Sequence, residues 1–172
     1  GDRVAGYLPN LPETLIAMLA TTALGAIWSS ASPDFGVQGV LDRFGQIEPK
    51  VLVCVDGYWY NGKPVDCLAK NVEVVAQMPS LLKTVVVPYL NAAPAIGRIA
   101  NAVGWNDIAA TIETTAGPMV DAQKEVIFKR VAFDHPLFIM FSSGTTGVPK
   151  CIVHCHGGVL LQHLKEHQLH SD

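Results

Sequence analysis

Short apolar segments alternate with longer amphipathic ones along the first half of this chain, and that alternation limits the fold more than any other feature. Residues 4–8 form an apolar run closed by Pro9. Asn10 is a candidate helix cap and Pro12 fits a first helical turn. The apolar pattern then runs to Leu24, and Gly25 offers a left-handed stop. A second strand is expected at 26–29, followed by the turn residues Ser32-Pro33-Asp34. The three-and-four spacing of Val40, Leu41, Phe44 and Ile47 predicts a helix over 36–47, broken by Glu48-Pro49-Lys50. Residues 51–55 are a continuous apolar run of the kind that fills a buried parallel strand. A helix is expected over 65–77 and a fourth strand at 85–87. The order β-α-β-α-β-α-β predicts an α/β fold, a mostly parallel sheet flanked by helices with right-handed crossovers. Residues 89–118, rich in Ala, Asn, Gly and Pro, are expected to be a surface excursion with one short helix near 105–111.

Composition narrows the function classes. Of 172 residues, 49% are hydrophobic and 16% charged, so the chain is neither disordered nor a charged coiled coil. The net charge of −3 comes without a basic stripe, which argues against a nucleic-acid partner. The sequence has no 18-residue apolar stretch and no secretory leader pattern, so neither a membrane span nor export is expected. Four cysteines, at 54, 67, 151 and 155, are too few for a disulfide framework and point to a reducing cytosol. The opening Gly1-Asp2-Arg3 abuts a strand pattern, and Asp172 directly follows a helical one. The chain therefore reads as an internal piece of a longer protein.

The chemistry concentrates in one loop. Phe138-Ile139-Met140-Phe141 is an apolar strand, followed by Ser142-Ser143-Gly144-Thr145-Thr146-Gly147-Val148-Pro149-Lys150. Ile152 and Val153 then resume strand character. Glycines let backbone N–H groups approach an anion, and four hydroxyls can donate to phosphate oxygens. Between Asp134 and Lys165 the only formally charged residue is Lys150. It has no local carboxylate, and an anionic ligand would supply the missing charge. The competing reading is an ordinary turn with a solvated lysine. The spacing is not that of a Walker A loop.

This string resembles the phosphate-binding signature of the adenylate-forming enzymes, the superfamily of acyl-CoA synthetases, adenylation domains and luciferases. Asp134-His135-Pro136-Leu137 ahead of it fits the same pattern. Residues 1–36 resemble the entry region of short-chain acyl-CoA synthetases. GAIWSSASPDFG (25–36), LDRFGQIEPK (41–50), PLFIMFSSGTTGVPKCIVH (136–154) and GGVLLQHLKEHQLH (157–170) resemble its acetoacetate-activating branch. The likeness is weakest over 89–130.

The resemblance implies part of the large N-terminal AMP-binding domain, over residues 1–172, with the small C-terminal domain absent. It implies ATP, Mg²⁺ and coenzyme A as cofactor or substrates. The reaction would run in two steps, acid plus ATP to acyl-adenylate and pyrophosphate, then displacement of AMP by the CoA thiol. Ser142, Ser143, Gly144, Thr145, Thr146, Gly147 and Lys150 would hold the ATP phosphates, with Lys150 the catalytic charge. No protein ligand for a metal is assigned. The adenine and acyl pockets and the adenylation lysine of the small domain lie downstream in such enzymes. This piece alone is therefore expected to be inactive, with exposed sheet edges.

In acetyl-CoA synthetases a basic segment after the third strand touches the nucleotide end of CoA. The matching stretch is Tyr60-Asn61-Gly62-Lys63, where Lys63 keeps a charge and Tyr60 stands in place of an arginine. A tight Asn-Gly turn is the competing reading. Where most of the superfamily has Gly after the motif lysine, this chain has Cys151, read as a small buried hydrophobe rather than a nucleophile.

Other features invite chemistry. Cys151, His154, Cys155, His156, His163, His167 and His170 suggest zinc, but a strand would send alternate ligands to opposite sides. The plainer expectation is a helix with exposed histidines and a buried face of Val159, Leu160, Leu164 and Leu169. Trp28, Trp59 and Trp105 invite an acyl pocket but read as core packing or loop anchors, and Asp56 and Asp66 as solvated turn carboxylates. The remaining alternatives are activation of acetate or propionate, a silent nucleotide-binding module, and a zinc-binding interaction domain.

Overall fold

The computed structural model describes residues 1–116, 128–142 and 147–171. Seven of its strands form one sheet in the order β7-β6-β3-β1-β2-β8-β9. β1 is Arg3–Tyr7, β2 Ile27–Ala31, β3 Val51–Val55, β6 Lys83–Val87, β7 Ala102–Gly104, β8 Pro136–Ser142 and β9 Lys150–Cys155. The first six listed run parallel, and β9 alone turns back antiparallel on β8. The helices are α1 Pro12–Ala23, α2 Val37–Ile47, α3 Leu68–Ala76, α4 Trp105–Ala116 and α5 His156–Leu169.

Helices cover both faces of the sheet around β3, which is why β3 is apolar at every position. Leu52 and Cys54 of β3 face Val40, Phe44 and Ile47 of α2 and Val74 and Val75 of α3. Val53 and Val55, on the opposite pleat, join Trp28 and Ala17 of α1, with Trp105 and Ile108 of α4 packed against them. Gly6 leaves space for the Trp28 ring, since a Cβ there would lie 2.5 Å from it.

The sequence expectations need correction at several points. Asn10 does not cap α1. The cap residue is Leu11, whose N–H meets Thr14 Oγ1 at 3.4 Å while Thr14 donates to the Pro9 carbonyl at 2.7 Å. The helix expected over 65–77 starts only at Leu68, because a hairpin intervenes. β4 (Gly57–Tyr60) and β5 (Lys63–Asp66) form a separate two-stranded sheet. Residues 89–118 are not only an excursion. They return the chain to the sheet as β7, with Ile99 buried in the core.

Asp56 is not solvated but fully buried. It sits where β3 ends and accepts from the backbone N–H groups of Tyr89, Leu90 and Asn91 at 2.7–3.2 Å. It thereby ties the end of β3 to the loop leaving β6. Asp66 is exposed and accepts from Leu68 N–H, at the start of α3.

The expected buried face of α5 is open. Leu160, Leu164 and Leu169 are 59%, 45% and 73% exposed, and only Gly157 of that helix is buried. No helix among the described residues is long and apolar enough to cross a membrane.

Candidate functional site

Because the strands run parallel, the chain leaves β1, β2, β3 and β8 at one edge of the sheet. Helix α1 after β1 covers one face, while α2 and α3 cover the other. Adjacent strands whose connections diverge in this way leave a crevice at their carboxyl ends, where ligands of doubly wound folds bind.

The hydroxyl-rich loop leaves that edge at the end of β8. Ser142 is the last residue of β8 and pairs with Lys150, the first of β9, so the loop spans the tip of a β-hairpin. Ser143, Gly144, Thr145 and Thr146 lie outside the described residues. Gly147 has φ +104°, a left-handed conformation that a side chain would strain, and no atom lies within 4 Å of a Cβ built there. Lys150 is exposed, and its ammonium group has no hydrogen-bond or carboxylate partner among the described residues.

Strand alternation sorts the hairpin into two faces. Ile139 and Phe141 pack with the α2 core, opposite Val153 and Cys151. Phe138, Met140 and Ser142 with His154, Ile152 and Lys150 therefore lie on the other face. There a cavity of about 270 Å³ runs between Phe138, Met140 and His154 and the α5 residues Val159, Gln162 and His163.

Cys151 is not buried, as expected from sequence, but exposed. Its thiol donates to Gln46 Oε1 at 3.6 Å, while Gln46 Nε2 donates to the Pro149 carbonyl at 2.8 Å. No sequence signal marks Gln46, because its partners are 103 and 105 residues away.

A second group of residues missed in the sequence gathers at the ends of β1 and β2. Tyr7 donates to the Phe35 carbonyl, and Lys70 Nζ donates to the Pro33 carbonyl at 2.7 Å. Tyr58 donates to Asp34 Oδ1 at 2.6 Å. That bond holds the Asp34 carboxyl below its ordinary value and pushes the Tyr58 phenol up to about 12. Burial pushes the Tyr7 phenol upward as well. The network pins the turn after β2 to the β4–β5 hairpin.

At the tip of that hairpin, Tyr60 pairs with Lys63. Asn61 and Gly62 have φ +48° and +74°, the two left-handed residues of a tight hairpin turn. The structure thus forms the Asn-Gly turn, with Trp59, Tyr60 and Lys63 exposed around it. Trp28 is core, as expected, whereas Trp59 is 56% exposed.

The histidine-rich tail does not assemble. Among the described residues no three His, Cys, Asp or Glu side chains could hold a metal together. His135 and His156 do meet, with ring centroids 5.7 Å apart, and His135 Nε2 donates to the Gly25 carbonyl at 3.0 Å. His156 Nε2 is buried without a partner among the described residues. Burial, then the neighbouring His135, lowers the His156 pKa. The unfolded chain binds that proton near pH 6.5, so it takes up more protons than the folded one just below that value. Stability is expected to be full above about pH 7, to fall as pH drops through about 6.5, and to level off below the folded value. Urea midpoints at stepped pH check this, and His156→Gln should flatten the slope.

A doubly wound sheet with a glycine- and hydroxyl-rich loop at its carboxyl edge defines a class of α/β domain suited to phosphorylated ligands. Within that class the chain belongs to the AMP-binding enzyme family, whose family model matches residues 1–171. Acetoacetyl-coenzyme A synthetase of Rhizobium meliloti (strain 1021) is 56% identical over 171 residues, covering 99% of this chain and 25% of that protein. Acetoacetyl-CoA synthetase of Macaca fascicularis is 51% identical over 174 residues, covering 100% of this chain and 25% of the relative. The solved structure of acetoacetyl-CoA synthetase from Streptomyces lividans superposes with TM-score 0.84 at 43% identity, over 100% of this chain and 24% of that one. The chain spans about a quarter of the length of these relatives.

Proposed function

We propose that this chain is part of the N-terminal AMP-binding domain of a cytosolic acid–thiol ligase that activates acetoacetate. The acid's carboxylate attacks the α-phosphorus of ATP, pyrophosphate leaves, and acetoacetyl-adenylate forms. The CoA thiol then attacks the acyl carbon and AMP leaves. The observation that carries this reading is Lys150, an unpartnered cation at the exit of the hydroxyl-rich loop, in a chain whose relatives are named for that ligation.

Ser142, Ser143, Gly144, Thr145, Thr146, Gly147 and Lys150 would hold the β- and γ-phosphates and neutralise charge as pyrophosphate leaves. Mg²⁺ would come with ATP, and the same loop residues would hold the phosphates together with it. When bound it would supply further charge neutralisation at the phosphates. Lys63 and the exposed ring of Tyr60, with the Asn61-Gly62 turn between them, would meet the nucleotide end of CoA. The four free thiols suit a reducing compartment.

The test is acid-dependent ATP–pyrophosphate exchange by the full-length enzyme with acetoacetate, acetate and propionate. Exchange is expected to be fastest with acetoacetate. Exchange with acetate or propionate instead would keep the mechanism and change the substrate. Absence of exchange in a folded protein would leave a silent nucleotide-binding module. The 172-residue piece by itself is expected to turn nothing over.

A further inference from the structure

We propose that Gln46 is a positioning residue for Lys150, holding the exit of the loop through a contact that depends on Cys151. The inference rests on the phosphate role of Lys150. One carboxamide bonds the residue on each side of that lysine, Nε2 to the Pro149 carbonyl at 2.8 Å and Oε1 to the Cys151 thiol at 3.6 Å. Gln46 is itself steadied by its own helix, with Nε2 also donating to the Asp42 carbonyl at 2.5 Å. The helix is a rigid mount, since Val40, Phe44 and Ile47 of α2 are buried in the core. Gln46 is exposed and packs no core, so these bonds are its evident role.

The pleat makes the clamp directional. Cys151 lies opposite Phe141, on the face that α2 covers, which sends Lys150 and Ser142 to the other face. Fixing the backbone at 149 and 151 therefore aims Lys150 without occupying its face. Gly147 at φ +104° and exposed Val148 directly precede the clamp. A backbone already held loses less freedom when the lysine engages an anion. A glycine after the lysine could not make the thiol half of this contact, so Cys151 changes how the loop is anchored.

The full-length enzyme provides the test. Gln46→Ala is expected to raise the KM for ATP in pyrophosphate exchange about fivefold, on the scale of one side chain's ordering, with kcat unchanged. Thioester formation from preformed acyl-adenylate, which needs no polyphosphate contact, should be unaffected. Cys151→Ser keeps a donor and should track the wild type. Cys151→Gly should shift KM in the same direction as Gln46→Ala, and the double variant should be no worse than Gln46→Ala. An unchanged KM in Gln46→Ala, while Lys150→Ala still loses exchange, would overturn the clamp alone. Full exchange in Lys150→Ala would overturn the phosphate role beneath it. A parallel fall of both half-reactions with a lowered Tm would make Gln46 merely structural and also overturn the proposal.

Discussion

Lys150→Ala in the full-length enzyme is expected to lower acid-dependent ATP–pyrophosphate exchange by about 10²-fold or more, the scale of losing one preorganised charge contact. The variant should fold normally, because Lys150 is exposed at the first position of β9 and makes no bond to another described side chain. The loss should therefore appear in adenylation with little change in Tm. Lys150→Arg keeps the charge but changes its shape, and should recover only part of the rate. Thioester formation from supplied acyl-adenylate should survive, since pyrophosphate has already left. Wild-type exchange in Lys150→Ala would remove the phosphate role altogether.

Asp56→Ala is expected to produce the largest loss of stability, about 3 kcal/mol or more. Asp56 is fully buried, so its truncation loses hydrogen bonds to a carboxylate, stronger than neutral ones, and leaves a cavity. The carboxylate serves three consecutive backbone N–H groups, at Tyr89, Leu90 and Asn91, and removing it takes that acceptor from all three. Asp56→Asn retains one acceptor oxygen and should lose less. The urea midpoint of the full-length enzyme measures both, and the ends of β3 and β6 should show the greatest rise in amide exchange. A loss below about 0.5 kcal/mol for Asp56→Ala, the range of an ordinary surface substitution, would contradict this account.

The two predictions differ in how they became visible. Lys150 was legible because its signal is local: a strand, eight residues rich in glycine and hydroxyls, and an isolated charge. Asp56 was misread as a solvated turn residue because the N–H groups that bury and satisfy it lie 33 to 35 positions further on. Gln46 left no trace for the same reason. The face of α5 was misread in the opposite direction. Its leucines have helical spacing, but nothing within the described residues covers them.

Taken alone, the sequence determined the alternation of strand and helix from β1 to β3 and the hydroxyl-rich loop with its lysine, but not the β4–β5 hairpin. The alternation and the loop depend on backbone preference and on side-chain periodicity over a few residues. The burial of β3 was legible too, since an apolar residue at every position needs partners on both faces. Only the tertiary structure decided the strand order, the return of 102–104 to the sheet, and the clamp of Gln46 on either side of Lys150. Those depend on which distant backbone groups and side chains meet once the sheet has twisted and its helices have docked. No short window of sequence encodes a meeting between residues a hundred positions apart.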